Sequence, residues 1–336
     1  MQCDTYFEAE TLDDLLRLIF PKLLDSQETI NATRGNFNEI FGAMLVLNNP
    51  RARLSRTESK GKLFSALGEL FWYLSKENNL AFIEYYLPYY KNESDDGVSV
   101  ISGYGQRLFS HNGNDQINNV ISLLKTKPTS RRAVIQLFDA SDLSADYKSI
   151  PCTCTLQFII RENKLNLLVN MRSNDAYLGL PHDVFVFTML QEIVARSVNV
   201  EIGIYKHCAG SLHLYEDHFE KAKTYISEGW QSPISMNIMP IGDQWDSIKS
   251  VRVIEEKARM SEDIALNNIE LDPYWLDICR LLVVFNKSKL PISSKKESLA
   301  VCNQIRSQII SPVYYMFIDA KIELLNTSLG TENESS

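Results

Sequence analysis

Apolar residues recur at helix or strand spacing along the first 250 residues. Helical spacing predicts helices over residues 58–75, 114–125 and 182–198, the last of them apolar enough to be mostly buried. Alternating or continuous apolar runs predict strands over residues 133–138, 155–160, 165–171 and 200–215. The residues RENK (161–164) join two of these strands as a hairpin, and the last strand carries a glycine kink. This pattern is typical of an α+β protein.

Beyond about residue 250 only helical spacing remains. Residues 272–290 predict one helix, and residues 295–326 predict a second that Pro312 interrupts. We therefore predict an α+β body over residues 1–250, followed by a helical C-terminal extension over residues 251–336 that packs on the same body. The polar tail, residues 330–336, is expected to fray.

Composition and charge narrow the class of protein. The chain of 336 residues is 45% apolar and 23% charged, as in a globular protein, and its formal charge of -8 argues against nucleic acid as the partner. No segment reaches the roughly 18 uncharged apolar residues that would span a membrane. The acidic N-terminal sequence does not resemble a signal peptide, so a cytoplasmic location is expected.

Residues 151–158, PCTCTLQF, raise the main chemical question, because two cysteines lie two apart at the start of a buried strand. Six cysteines in this chain do not make a secreted disulfide framework. A zinc site would need two more ligands, which His207 and Cys208 could supply, but C-x-C on a strand fits zinc spacing poorly. Cys152 is then either a nucleophile with a group that stabilises its thiolate or a plain buried cysteine. No metal is predicted.

Polar residues after the second strand of the hairpin favour a functional site. Arg172, Ser173, Asn174 and Asp175 directly follow an apolar run, although a solvated loop would also explain them. A Gly-x-Pro turn follows, and a helix begins at His182–Asp183, where Asp183 could be no more than an N-cap.

Two further features suit an enzyme that binds a phosphorylated ligand. Arg131 and Arg132 stand before a strand, and paired arginines can clamp a phosphate, although one arginine would often suffice to solvate a loop end. Glu69 lies among the large hydrophobic residues of a predicted helix. A carboxylate in such a place is either paired or has a raised pKa, which suits a general acid or base.

Taken in chain order, these residues resemble thymidylate synthase. The motifs are GELFWYL with Glu69, Tyr104-Gly105, DQINNVISLLKTKPTSRRAV with Arg131 and Arg132, Pro151-Cys152 with Gln157-Phe158, Arg172-Ser173-x-Asp175 with Leu178-Gly179-x-Pro181, and LHLY with His213 and Tyr215. The family carries E-L-x-W-F-L, D-Q-(x)n-L-K-x-x-P-x-S-R-R and T-H-L-Y at the matching places. The resemblance covers about residues 28–220 and implies a mixed sheet packed with helices.

The resemblance implies a catalytic role for several residues. Cys152 matches the nucleophile that adds to C6 of the pyrimidine, and Arg172 the arginine that steadies both its thiolate and the phosphate. Glu69 matches the glutamate that moves protons through bound water and also faces the folate, and Tyr104 falls in the catalytic set. Cys154, further along the same strand, is expected to pack in the core.

Other matches imply how the nucleotide and the folate are held. The residues expected to bind the nucleotide are Arg34, Arg131, Arg132, Gln157, Ser173, Asp183, His213 and Tyr215. Among these, His213 and Tyr215 would hold the sugar 3′-hydroxyl. The arginine pair would reach across from the partner subunit of a homodimer, so that the active sites are shared. Asp175 matches the aspartate that faces the folate pterin.

Departures from the family pattern point to a different base. At Asp183 the methylating members carry asparagine, whose amide reads uracil by donating to O4 and accepting from N3–H. A protonated Asp183 would donate to N3 of cytosine and accept from its amine, and an aspartate here marks deoxycytidylate hydroxymethylases and related cytidylate enzymes. An asparagine that drifted in a uridylate enzyme is the alternative.

Three smaller departures concern the surroundings of the base and the folate. Thr153 replaces the histidine that usually follows the nucleophile. Residues 85–90, YYLPYY, place tyrosines where the family carries tryptophans against the folate. A more polar wall would favour water over hydride at the exocyclic methylene. The family's C-terminal segment that closes over folate is not recognisable in the helical extension.

The expected reaction is C5 hydroxymethylation of dCMP or CMP. The co-substrate would be 5,10-methylenetetrahydrofolate, and the products 5-hydroxymethyl-(d)CMP and tetrahydrofolate. One alternative is a thymidylate-synthase-type C5 methyltransferase acting on dUMP or dCMP. An alternative of another class is a nucleotide-binding dimer that has lost turnover, against which the intact Cys152, Glu69 and Arg172 argue.

Overall fold

A computed structural model describes residues 5–26, 29–32, 34–59 and 61–333 of the chain. Lys60, inside one predicted helix, and residues 334–336 of the polar tail lie outside the described residues. The chain divides into two compact units, the first comprising Met1–Ser235 with Ile241–Asp243, and the second Met236–Pro240 with Gln244–Ser336.

The first unit is built on a seven-stranded mixed sheet. Its strands are β1 (Tyr6–Ala9), β2 (Thr29–Ile30), β3 (Phe37–Leu47), β4 (Val134–Gln136), β5 (Thr153–Arg161), β6 (Lys164–Asp175) and β7 (Glu201–Tyr215). They lie in the order β1-β3-β7-β6-β5-β4, with β2 paired to β3. The β1–β3 and β6–β7 pairs are parallel and the others antiparallel. This sheet, packed with helices, confirms the predicted α+β class.

The predicted hairpin is β5 and β6, joined by a two-residue turn. Arg161 pairs with Lys164, and Glu162 and Asn163 between them have φ values of 51° and 56°. Two successive left-handed residues give a turn whose twist matches that of the flanking strands. At the other end of the hairpin, Thr153 pairs with Met171 but Thr155 with Asn170, so Cys154 is the extra residue of a β-bulge.

Helices of the first unit cover the sheet. They are α1 (Leu12–Leu24), α2 (Leu63–Leu74), α3 (Leu80–Tyr86), α4 (Tyr104–Phe109), α5 (Gln116–Thr126), α6 (Gly179–Ser197) and α7 (Phe219–Ser227). Nearly every side chain of α6 is buried, as expected for a helix that is apolar on all sides. This helix packs on β6 and β7 and also contacts α2. The packing of α6 thus places α2, α6 and the ends of β5 and β6 close together.

Two predicted helix starts were wrong. The helix predicted from residue 58 begins at Leu63, because Gly61 and Lys62 are not helical. The helix predicted to begin at His182–Asp183 begins at Gly179. Pro181 therefore lies in the first turn of α6, where its missing N–H costs no helical hydrogen bond.

The second unit is helical, as the spacing beyond residue 250 predicted. Its helices are α8 (Trp245–Arg259), α9 (Pro273–Lys289), α10 (Lys295–Gln308) and α11 (Tyr315–Asn333), with a 3-10 turn at Pro312–Tyr314. The indole N–H of fully buried Trp275 donates to Gln244 Oε1 at 2.8 Å. The Asp277 carboxylate accepts the backbone N–H groups of Ile310 and Ser311, which fixes the chain between α10 and α11. Among the described residues, no helix combines the length and apolar character needed to cross a membrane.

Candidate active site

Cys152 directly precedes β5 and lies opposite Arg172 on β6. The backbone N–H of Arg172 donates to the Cys152 carbonyl at 2.8 Å, and its Nη2 lies 3.5 Å from the Cys152 Sγ. Two more guanidinium hydrogen bonds go to the carbonyls of Pro151 (3.0 Å) and Ile150 (3.1 Å). The guanidinium is thereby held beside the sulfur by backbone acceptors, while the side chain of Arg172 remains exposed on its other side.

Burial raises the pKa of the Cys152 thiol above its usual value, and the carboxyl of Asp183 adds to that effect. The positive charges of Arg172 and Arg34 oppose it. Without a ligand, the Cys152 side chain is therefore a thiol at neutral pH. The two neighbouring arginines make its ionisation to the thiolate easier. Within the described residues, Cys152, Cys154, Cys208, Cys279 and Cys302 are free, and no three His, Cys, Asp or Glu side chains lie close enough together to hold a metal ion.

The β-bulge at Cys154 determines how the residues after Cys152 are placed. Thr153 is fully buried, and its backbone N–H donates to the Tyr104 hydroxyl at 3.0 Å. Tyr104 thus accepts a hydrogen bond and keeps its own proton available for donation. Cys154 is half-buried at the bulge, so the expectation that it packs in the core was wrong: the extra residue of a bulge leaves the regular alternation of the strand.

Glu69, near the middle of α2, is 6% exposed and accepts two tyrosine hydroxyls at the same oxygen. Tyr73 donates to Oε1 at 2.8 Å and Tyr90 at 3.0 Å. Burial raises the pKa of Glu69, and these two hydrogen bonds oppose the rise. The sequence analysis missed both tyrosines. The four-residue spacing of Glu69 and Tyr73 on one helix would have indicated the first, whereas Tyr90 comes from a separate 3-10 helix, Pro88–Glu93.

Asp183 lies in the second turn of α6, and the interpretation as an N-cap was wrong. The cap position is Leu178, and no side chain caps this helix. Instead, Asp183 Oδ2 accepts from Asn174 Nδ2 on β6 at 2.7 Å. Burial raises the pKa of Asp183 well above its ordinary value, the charge of Glu69 raises it further, and the Asn174 amide opposes both. Asn174, the unassigned residue of the Arg-Ser-x-Asp stretch, is therefore a further candidate site residue, which the sequence alone did not single out.

A row of polar residues crosses the neighbouring strands. Ser173 pairs with Ser211, and Asp175 pairs with His213, which in turn pairs with Glu39 on β3. His213 packs against Phe37 and Tyr215, at ring distances of 5.1 and 5.0 Å. Burial lowers the pKa of His213, so its imidazole is neutral at pH 7.

Asp175 turns the chain from β6 toward α6. Its Oδ1 accepts the backbone N–H groups of Tyr177 and Leu178, at 2.7 and 2.9 Å. This arrangement explains why an aspartate ends the strand, and it leaves Oδ2 without a hydrogen bond to the part of the chain described here.

Arg34 is exposed and ion-paired. Its Nη2 lies 3.0 Å from Glu93 Oε2 and donates to the Lys148 carbonyl at 3.2 Å. Lys148 in turn donates through Nζ to the Ser94 carbonyl and through its backbone N–H to Asp95. Arg34 thus joins two loops, and its charge still acts on the Cys152 thiol.

No described contact joins Arg131 or Arg132 to Cys152. Both side chains are exposed, just before β4. Gln157 on β5 donates through Nε2 to the Arg131 carbonyl at 3.0 Å, so its amide holds the backbone of the arginine pair. The arginine side chains are thereby presented on the surface of the chain.

Comparison with known proteins matches this geometry to one family. A family model described as thymidylate synthase matches residues 21–274, and the chain therefore belongs to the thymidylate synthase family. Among solved structures, the chain is similar to the crystal structure of thymidylate synthase from T4 phage. The TM-score is 0.56 and the identity 23%, over 64% of this chain and 81% of the phage protein. The predicted resemblance and fold are confirmed.

Membership makes the protein a one-carbon transferase. The family's reaction is C5 one-carbon transfer on a pyrimidine nucleotide, with methylenetetrahydrofolate as the co-substrate, and its members are typically dimeric.

Proposed function

We propose that this protein is a cytidylate 5-hydroxymethyltransferase, acting on dCMP or CMP with 5,10-methylenetetrahydrofolate. The observation that carries the proposal is the half-buried Asp183, which has a raised pKa and is held by Asn174. A carboxyl that keeps its proton can donate to N3 of cytosine while its other oxygen accepts from the amine. Uracil presents the opposite pattern, and each unmatched buried group would cost about 1–3 kcal/mol.

The chemistry begins at Cys152. Its sulfur would add to C6 of the pyrimidine, which makes C5 nucleophilic, and Arg172 would stabilise the thiolate from 3.5 Å. The Cys152 pKa is raised in the free protein, so arrival of the nucleotide and loss of the thiol proton would be linked. Glu69 would accept the C5 proton through water, and the Tyr104 hydroxyl would keep its proton and donate a hydrogen bond to a bound group.

The folate would supply the one-carbon unit. Asp175 Oδ2 is an acceptor suited to the N–H groups of a pterin, because Oδ1 is already used by the backbone. Lys62 would lie near Asp175 at the pterin. Burial lowers the pKa of Lys62, and the charge of Asp175 raises it. After tetrahydrofolate leaves, we assign water as the nucleophile that adds to the exocyclic methylene and loses a proton, and Cys152 is then released from C6. Tyrosines at 85, 86, 89 and 90 support this assignment because they make this wall polar.

The nucleotide would be held by residues from two subunits. Ser173, Arg34 and Arg172 of one subunit, with Arg131 and Arg132 of the other, would bind the phosphate, and His213 and Tyr215 the sugar. Gln157 would support the arginine pair through its hydrogen bond to the Arg131 carbonyl.

Mass spectrometry of the product tests the proposal. The enzyme is incubated with methylenetetrahydrofolate and dCMP, CMP or dUMP in turn, and we expect a product heavier than the cytidylate by one hydroxymethyl group. A methyl product would establish the methyltransferase alternative. An alternative result is that the wild-type protein binds nucleotide but turns over none of the three, as expected for Cys152→Ala. That result would favour the alternative of a nucleotide-binding protein that has lost turnover.

A further inference from the structure

Glu69 is held at one oxygen only. Tyr73, one turn further along α2, is 3% exposed, and Tyr90 reaches the same Oε1 from the 3-10 helix Pro88–Glu93. Oε2 has no hydrogen bond to any residue that the structure describes. The carboxyl is therefore fixed in orientation, with one oxygen saturated by protein and the other left for water or substrate.

We propose that Tyr73 and Tyr90 are positioning residues that hold Glu69 by Oε1 and reserve Oε2 for proton exchange at C5 of the pyrimidine. This inference rests on the proposed function for the reaction it serves. The hydrogen bonds themselves do not depend on that function. Within the motif GELFWYL, the family carries phenylalanine in the place of Tyr73, and Tyr90 lies outside this motif.

The two hydroxyls also oppose the effect of burial on the pKa of Glu69. A hydroxyl that donates to a carboxylate favours the ionised form, whereas burial favours the neutral form. The titratable side chains that act on Glu69 from its own and neighbouring elements are Tyr73 on α2, Tyr89 and Tyr90 on the 3-10 helix, Tyr104 on α4 through its packing on Tyr73, and Asp183 on α6. None of these groups is a cation, so the two hydroxyls are the main support for the Glu69 charge.

The same hydroxyls also give Glu69 and Asp183 different protonation states. Glu69 and Asp183 repel one another as anions. Glu69 has two hydroxyl donors and Asp183 one amide donor, so Glu69 is the member that ionises more readily. Glu69 can then act as the base while Asp183 keeps the proton with which it would donate to cytosine.

The test compares Tyr73→Phe, Tyr90→Phe and the double variant with Tyr225→Phe. The control removes another buried tyrosine–carboxylate hydrogen bond, from Tyr225 to Asp13 at 2.8 Å, in a different part of the first unit. The first readout needs no turnover: the Glu69 carboxyl is titrated by NMR in protein labelled at glutamate, with Glu69→Gln assigning the signal. We expect its pKa to rise in each single variant, to rise further in the double variant, and to stay unchanged in the control.

The second readout is the pH profile of kcat. Losing a donor raises the Glu69 pKa, so the acidic limb of the profile should move to higher pH. At a pH below the pKa, the ionised fraction of Glu69 falls about tenfold for every 1.4 kcal/mol by which the lost donor had favoured the carboxylate. The KM for nucleotide should change far less than kcat.

Two results would overturn the proposal. One is a carboxyl titration that the single variants leave unmoved, and the other is a loss of kcat while the acidic limb stays at its wild-type pH. If the titration moves but wild type turns over no nucleotide, the tyrosine assignment stands and the proposed function fails.

Discussion

At the scale of single residues, the site depends on how each reactive group is balanced by its immediate neighbours. Burial raises the pKa of the Cys152 thiol, and Arg172 and Arg34 oppose this rise. Burial and the charge of Glu69 raise the pKa of the Asp183 carboxyl, and Asn174 opposes that rise. Because these influences oppose one another, a bound ligand can change the protonation state of the Cys152 thiol and of the Asp183 carboxyl. Substitutions at these positions should alter chemistry more than folding.

Cys152 and Cys154 should separate clearly. Cys152→Ala removes the atom proposed to bond C6, so turnover should be abolished while nucleotide binding stays nearly intact. Cys154→Ala changes a half-buried side chain at a bulge and should retain most activity. Steady-state rates and isothermal titration with dCMP provide the measurement. If Cys154→Ala were as inactive as Cys152→Ala, the nucleophile assignment would be wrong.

Asp183 should decide which base is used. Asp183→Asn replaces a carboxyl by an amide of the same shape, which matches uracil and mismatches cytosine. Cytidylate turnover should fall by roughly tenfold or more, the factor that corresponds to about 1.4 kcal/mol, and use of dUMP should rise. The measurement is kcat/KM for both nucleotides in wild type and variant. An unchanged ratio, or a wild type that already prefers dUMP, would reject the cytidylate assignment.

At the scale of elements, hydrophobic spacing predicted the parts whose periodicity is regular. These are the β5–β6 hairpin, α6, the long strand β7 and the helices beyond residue 250. It did not predict α1 or β3, in which Pro21 lies within the helix and Gly42 adopts a φ of 72° within the strand. The contact of Tyr90 with Glu69 joins residues 21 apart in different elements, so only tertiary packing creates it.

The hairpin turn offers a test of local backbone conformation. Glu162 and Asn163 are both in the left-handed region, which costs an ordinary residue about 1–2 kcal/mol and favours Asn-Gly. Both residues are exposed, so the double variant Glu162→Asn with Asn163→Gly can be made. It should raise the free energy of unfolding by ~1 kcal/mol and leave activity unchanged. Denaturant unfolding is the measurement, and Glu162→Val, which cannot easily adopt this φ, is the destabilised control. Equal stability of all three proteins would contradict the turn assignment.

At the scale of the whole molecule, the proposed function requires two chains to form each site. Arg131 and Arg132 are exposed and no described contact joins them to Cys152, in keeping with a homodimer in which they serve the partner. The test mixes a chain carrying Arg131→Ala and Arg132→Ala with a Cys152→Ala chain. Each heterodimer would hold one intact site, so random exchange should restore about a quarter of wild-type activity. No recovery, under conditions where labelled chains are seen to exchange, would mean that sites are not shared.

The hairpin between β5 and β6 also limits how this protein can change in length. Arg161 lies nine residues after Cys152, whereas Arg172 lies eight residues after Lys164, and the bulge at Cys154 accounts for the difference. One residue of slip along a strand moves a side chain by about 3.4 Å and turns it to the opposite face. An uncompensated insertion or deletion within β5 or β6 would therefore separate the sulfur of Cys152 from the guanidinium of Arg172, whereas residues added at the turn of Glu162 and Asn163 would leave the pairing of both strands unchanged. Related chains are expected to vary in length at this turn and to vary the two strands by substitution.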